Sequence, residues 1–238
     1  MRYFLKISYD GSKFYGFQRQ HNVINVQSTI EDELSKVFNE KILVKGAGRT
    51  DRGVHAKNQA LHFDSEKLIN TKTLKKNLNK CLNNIHINKC RIVDDSFHSR
   101  FSVKKKHYSY KISFNSKKKN SEYVYFQKKL NIKKMKEASR AFIGIHNFQN
   151  FVSGERENYE CIIYRIKFHH MFRNGVKIDF YGKSFYRYMV RNLVGALIDV
   201  GKNKATKHDI EHLLNSEKTD KMLSTAPAKG LTLENIYY

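Results

Sequence analysis

Val26-Gln27-Ser28-Thr29-Ile30-Glu31-Asp32-Glu33-Leu34-Ser35-Lys36-Val37-Phe38-Asn39 decides how the first hundred residues are read. Ile30, Leu34, Val37 and Phe38 fall at i, i+4, i+7 and i+8, the spacing of one helix face. Glu31, Asp32 and Glu33 sit in the early turns, where the helix dipole favours acids. Upstream, residues 2–9 alternate as a strand, and a polar, Gly-punctuated loop runs from Asp10-Gly11 to Asn25. Downstream come strand-like runs at 41–46 and 58–64, then a helix over 71–82 with Leu74, Leu78, Cys81 and Leu82 on one face, and a strand at 89–94. The order β-α-β-β-α-β is that of the ferredoxin-like split βαβ plan.

The second half repeats the rhythm. Strands are expected at 106–115 and 122–127, and a helix at 131–143. Two long strands at 161–172 and 176–184 meet at Arg173-Asn174-Gly175, a hairpin-type turn signal. A helix over 185–200 follows, then a short one near 206–215, a turn at Thr225 to Gly230, and a closing strand from Leu231 to Tyr237. The expected fold class is α+β, with two ferredoxin-like (split βαβ) halves sharing a mainly antiparallel sheet flanked by helices. The boundary is placed between 1–103 and 104–238, where no flexible linker composition appears.

The 238 residues are 40% hydrophobic, enough for a sizeable core. No apolar run approaches the roughly 18 residues of a membrane span, and the start, Met1 to Lys6, reads directly into a strand. Cys81, Cys90 and Cys161 are odd in number and lack C-x-x-C spacing, which fits neither a disulfide framework nor a zinc ribbon. A reduced, cytoplasmic protein is expected. The charge says more, because 45 Lys and Arg face 22 Asp and Glu, a net +23. AT-rich codon usage would enrich Lys, but it would enrich Glu too. So positive a field repels itself unless a polyanion is the working partner. From Phe97 to Arg140, 14 Lys and Arg face only Glu122 and Glu137. Phe97, Phe101, Tyr108, Tyr110, Phe114, Tyr123, Tyr125 and Phe126 are interleaved with them. Cations for phosphates and flat rings for bases suit single-stranded RNA. A solvated basic face over ordinary strand aromatics is the plainer alternative.

Gly46-Ala47-Gly48-Arg49-Thr50-Asp51-Arg52-Gly53-Val54-His55-Ala56 is the segment richest in chemistry. It is not a phosphate-binding P-loop, and its glycine spacing is wrong for a dinucleotide fingerprint. A single carboxylate, Asp51, stands between Arg49 and Arg52, cations that favour its ionised form. Such a group can serve as nucleophile or base toward an RNA sugar. Equally, it could be a loop aspartate that pairs with an arginine to fix a turn. His55, His62, His98, His107, His169 and His170 show no ligand spacing, so no metal is expected.

Gly48 to Ala56 closely resembles the signature of the tRNA pseudouridine synthase A (TruA) family. Four further segments resemble that family in its order. They are Tyr9-Asp10-Gly11 with Gly16 to Gln20 and Val26-Gln27; Phe97-His98-Ser99-Arg100-Phe101-Ser102 running to Tyr108-Ser109-Tyr110; Phe185 to Gly195; and Ala226 to Leu231. The resemblance implies isomerisation of uridine to pseudouridine in the anticodon stem-loop of tRNA, positions 38–40, by a homodimer without cofactor. It implies that Asp51 is the catalytic carboxylate and Arg191 its pairing arginine. Tyr108 would hold the base, Arg49 would fill the space left by the flipped nucleotide, and Leu231 would wall the uracil. A phenol with a pKa near 10 is a poor base at neutral pH, so stacking ranks above proton transfer for Tyr108. On the expected 185–200 helix, Arg187, Arg191 and Gly195 share a face, and a mid-helix glycine suggests a close approach there. Arg52, Lys104, Lys105, Lys106 and Arg187 are expected to grip RNA phosphates. Arg52, Phe17 and Ala228 depart from the family pattern and bear on target choice. Another RNA target, a non-catalytic RNA-binding paralogue and a metal-dependent nuclease are the competing readings.

Overall fold

The computed structural model describes residues 1–128, 130–171, 174–217 and 223–238. It is a mixed α+β structure that divides into two compact units. One comprises Met1–Lys104 with Thr232–Tyr238, the other Lys105–Leu231. Among the described residues no helix is long and apolar enough to cross a membrane.

In the first unit, β1 (Arg2–Tyr9) leads to α1 (Val26–Phe38), β2 (Lys45–Gly46), β3 (His55–Asp64), α2 (Thr71–Cys81) and β4 (Ile85–Val93). Strand β1 lies between β4 and β3, antiparallel to both, and β2 pairs antiparallel with β3. The closing strand β10 (Leu231–Tyr237) runs parallel to β3, with Thr232 opposite His55 and Leu233 opposite Ala56. Helix α1 starts where Asn25 accepts from the Ser28 amide and stops at Asn39, whose φ of 48° suits a left-handed cap. Its buried stripe is Val26, Ile30, Leu34 and Phe38, and on α2 Leu74 and Leu78 are buried while Cys81 is exposed.

The expected strand over 41–46 shrinks to two residues, and the cause is local. The Glu31 carboxylate accepts the Val44 amide at 2.9 Å and the Ser35 hydroxyl accepts the Ile42 amide at 3.0 Å. Side chains of α1 therefore take the backbone donors that a sheet ladder would need. Glu31 is 1% exposed and is also met by Gln27 and the Arg19 guanidinium.

In the second unit, β5 (Lys105–Ser113), β6 (Tyr125–Phe126), α3 (Ile132–Ala138), β7 (Gly144–Asn147), β8 (Glu160–Met171), β9 (Gly175–Gly182), α4 (Met189–Gly201) and α5 (Lys207–Asn215) follow in order. The strands run β5-β9-β8-β7, all neighbours antiparallel, with β6 parallel to β5. Sheet pairing is thus mixed in both units. The expected helix over 131–143 gives way to a 3-10 turn after Ala138, and β7 is a strand that the sequence pattern did not announce. At the β8–β9 turn Arg173 lies outside the described residues, while Asn174 takes a φ of 69°. Helix α4 begins at Met189, not at 185. Tyr188 sits at φ 63°, a left-handed value that interrupts the helix before it starts.

Candidate active site

The Asp51 loop is built by its neighbours in the first unit. Gly46 lies under the Phe17 ring, where a Cβ would come within 2.5 Å of it. Ala47 donates to the Ala60 carbonyl at 2.8 Å, and the Gln59 amide donates to the Gly48 carbonyl at 3.0 Å. Thr50 is buried with its hydroxyl 2.8 Å from that of Tyr9, and its carbonyl accepts the Phe17 amide at 3.1 Å. Burial pushes the Tyr9 phenol up to about 12, so it remains a protonated strut. The Val54 amide donates to the Asp51 carbonyl at 3.1 Å, closing a four-residue turn whose third residue, Gly53, has φ 80°. Asp51 opens that turn half-buried, between Thr50 inside and Arg52 outside.

Asp10-Gly11 and Gly16-Phe17 brace this loop from behind. A Cβ on Gly11 would lie 2.1 Å from the Val54 carbonyl oxygen, and one on Gly16 would lie 2.9 Å from that of Thr50. The Gly11 amide donates to His55 Nδ1 at 3.1 Å, which makes His55 a structural group. Sequence reasoning did not foresee these supports, although the two glycines were in its N-terminal pattern. Arg49 is exposed. The Arg52 guanidinium lies 3.9 Å from the centre of the Tyr15 ring, a cation–π contact. The sequence reading did not single out Tyr15.

The second unit holds the other expected residues. Tyr108 on β5 is 7% exposed and meets the Phe185 ring edge-on at 5.3 Å. Phe185 in turn covers Gly182, where a Cβ would sit 2.9 Å from its ring. Lys104 is the last residue of the first unit and is exposed; Lys105 is partly exposed, and Lys106 is 9% exposed. Alternation along a strand points Lys105 and Lys106 to opposite faces.

Arg191 is tied to the segment before β10. Its Nε donates to the Ala226 carbonyl at 2.8 Å, and the Ala226 amide donates back to the Arg191 carbonyl at 3.0 Å. Its guanidinium also lies 4.5 Å from the Tyr188 ring. One turn on, a Cβ at Gly195 would fall 1.5 Å from the Ser224 carbonyl oxygen, so the close approach expected there is backbone. Asn192 accepts from the Thr225 hydroxyl at 2.7 Å, and Asp199 accepts from the Ser224 amide at 2.8 Å. Tyr110 then donates to the Pro227 carbonyl at 2.7 Å, and Leu231, 5% exposed, follows the Ala228–Gly230 turn. Arg187 precedes α4 and is therefore off the helical face assigned to it. Its guanidinium lies 5.5 Å from Tyr188 on a backbone in the strained left-handed region.

A further cluster lies on the β5–β9–β8 sheet. Asp179, 2% exposed, sits 2.8 Å from His107, 3.0 Å from His169 and 3.0 Å from Lys177. Burial pushes its carboxyl up, but the hydrogen bonds from His107 and Lys177 outweigh that and hold it below the usual range.

The first unit thus carries Arg49, Asp51 and Arg52 on one loop. The second carries Tyr108, Arg187, Arg191 and Leu231 on β5, the approach to α4, α4 itself and the start of β10. A family profile described as tRNA pseudouridine synthase matches residues 6–102 and 138–238. The tRNA pseudouridine synthase A of Pseudothermotoga lettingae is 39% identical over 239 residues, covering 98% of this chain and 97% of that one. That of Phytoplasma mali is 38% identical, covering 99% and 98%, and that of Lactobacillus helveticus 36%, covering 100% and 94%. With the profile matched in both units and its relatives aligned over almost their whole lengths, the chain belongs to the tRNA pseudouridine synthase family.

Proposed function

We propose that this protein isomerises uridine to pseudouridine in tRNA, at positions 38–40 of the anticodon stem-loop, with Asp51 as its catalytic carboxylate. The observation that carries the reading is the braced turn at Asp51, a half-buried acid flanked by Arg49 and Arg52 in a chain matched to this family on either side of it. The reaction is neutral in atoms and electrons. The C1′–N1 bond breaks, the uracil turns, C5 bonds to C1′, and the proton lost from C5 is matched by one gained at N1. No co-reactant enters that balance, and the reading includes no cofactor. Asp51 either attacks C1′ or removes a sugar proton.

Arg191 serves as the cation for that carboxylate during turnover, with Nε already committed to Ala226 so that its orientation is set before RNA arrives. Tyr108 contacts the uracil, and its packing on Phe185 supports a fixed ring. Leu231 supplies an apolar wall. Arg49, exposed on its loop, fills the gap left by the flipped nucleotide, a process that costs a few kcal/mol of stacking and pairing. Arg52, Lys104, Lys105 and Arg187 contact phosphates. Lys106 is the least suited of that set because it is buried.

We further infer a cytoplasmic homodimer built from two ferredoxin-like halves. In support of the halves, β1-β3-β2 and β5-β9-β8 are neighbours in those orders, with α1 between β1 and β2, α3 between β5 and β8, and α2 and α4 after β3 and β9. The experiment is to incubate the protein with a panel of unmodified tRNA transcripts and locate pseudouridine base by base. Product confined to positions 38–40 is expected. Product elsewhere in tRNA would overturn the site assignment, and no product from any tRNA would overturn the activity.

A further inference from the structure

Phe101 is the most exposed large apolar side chain among the described residues, at 77%. A lone exposed phenylalanine is unremarkable on a mobile loop, but this one stands on a rigid turn. The Ser102 amide donates to the His98 carbonyl at 2.9 Å, and the His98 amide donates to the Ser102 hydroxyl at 3.1 Å. His98 Nδ1 accepts the amides of Arg100 and Phe101 at 3.1 and 3.3 Å. Ser99, fully buried, anchors the turn below. Its hydroxyl donates to the Lys45 carbonyl at 2.6 Å, its amide to His62 Nδ1 at 3.1 Å, and its carbonyl accepts the Tyr238 hydroxyl at 2.7 Å.

The ring is already half of a stack. Its centre lies 4.4 Å from that of the His98 imidazole, tilted by 32°, and His62 meets His98 edge-on at 4.7 Å from beneath. Burial, then the charges of Lys45, Arg2 and Arg100, push the His98 imidazole down, so it is an uncharged flat ring at neutral pH. Of those cations, Arg2 is committed to Asp64 and to the carbonyls of Asp95 and Phe97. Lys45 and Arg100 are exposed, and the Arg100 guanidinium lies 5.8 Å from the Phe101 ring. One face of an immobilised aromatic is therefore offered to solvent beside two exposed cations. Base-stacking platforms for unpaired nucleotides have this composition.

We propose that Phe101 stacks on an unpaired base of the RNA substrate other than the target uridine, with Arg100 and Lys45 on the adjoining phosphates. The identity of that RNA rests on the tRNA reading above. The site has a built-in probe position, because the chain contains no tryptophan. Phe101→Trp would carry the only indole, whose emission is quenched by a stacked base. Titrating that variant with unmodified tRNA transcript is expected to give saturable quenching, with a midpoint equal to the dissociation constant from filter binding. Phe101→Ala and Phe101→Leu are expected to raise KM and weaken tRNA binding by about fivefold to a hundredfold, the range for losing one base–aromatic stack, with kcat near the wild-type value. Phe101→Leu keeps an apolar side chain, so a loss shared by both variants separates stacking from simple burial.

Unquenched Phe101→Trp emission with saturating tRNA, or unchanged affinity in Phe101→Ala, would overturn the proposal while leaving the isomerase reading untouched. A change of oligomeric state in Phe101→Ala at unchanged tRNA affinity would overturn it too and assign the ring to a second copy of the chain. If the wild type made no pseudouridine but Phe101→Trp were still quenched by tRNA, the platform would stand and the isomerase reading would fall.

Discussion

Three strands of each unit can be set side by side, and the connection between two of them differs. In the first, β1-β3-β2 are neighbours in that order; in the second, β5-β9-β8 are. β2, beside β3, is two residues long, whereas β8, beside β9, is twelve. In the second unit β8 ends at Met171 and β9 begins at Gly175, whereas in the first β2 and β3 are joined by the Ala47–Val54 loop with Asp51. Side chains of α1 bind the Ile42 and Val44 amides just before the short β2, and the loop with Asp51 follows it.

Five substitutions test this difference between the units. The largest effect is expected in the second unit, at Gly195→Ala, because the added methyl meets backbone at Ser224 and nothing flexible can yield. Chemical denaturation should show a loss of about 3 kcal/mol or more. A near-neutral result would mean that α4 and the 223–226 segment are not locked together. Next is Glu31→Ala in the first unit. It strands the Val44 amide and frees Arg19, and should cost on the order of 2–3 kcal/mol by the same assay. Unchanged stability would remove the explanation for the short β2.

Third is a pH effect in β3. Burial, then the charges of His98 and Arg2, hold the His62 imidazole down at about 4. The unfolded chain binds a proton there near 6.5, so between roughly pH 6.5 and 4 the unfolded state holds more protons, and stability falls as the pH falls. Urea unfolding at pH 7 and pH 5 should differ by about 2 kcal/mol from this group, and His62→Asn should flatten that difference. An equal slope in the variant would assign the acid sensitivity elsewhere.

The smallest effect is the most telling about the loop. Gly53 and Asn174 both sit at positive φ, 80° and 69°, at the corresponding connections of the two units. Alanine at either should cost about 1 kcal/mol of strain, but only Gly53→Ala should lower kcat for tRNA. Equal activities would deny the special role of the first unit's loop.

Helices α1 and α2 were legible because their apolar residues recur at helical spacing, and β10 because a turn signal precedes it. The two-residue β2 was not, since Ile42 and Val44 alternate like a strand while Ser35 and Glu31, remote in any local pattern, bind their amides. The start of α4 was misplaced by four residues because Phe185 and Met189 fit a helical face, whereas Tyr188 breaks the backbone. For the site, Asp51 stood out as a single acid between arginines. Tyr15 under Arg52, and the bracing by Gly11 and Gly16, needed the fold of a loop that periodicity does not describe.

On the proposed function, Asp51 on the first unit's loop performs the chemistry. Single-turnover assays with one tRNA transcript should show pseudouridine forming with the wild type and slowing on the order of 10⁴-fold or more in Asp51→Ala, with tRNA affinity and melting temperature unchanged. Pseudouridine formed by Asp51→Ala at close to the wild-type rate would contradict it.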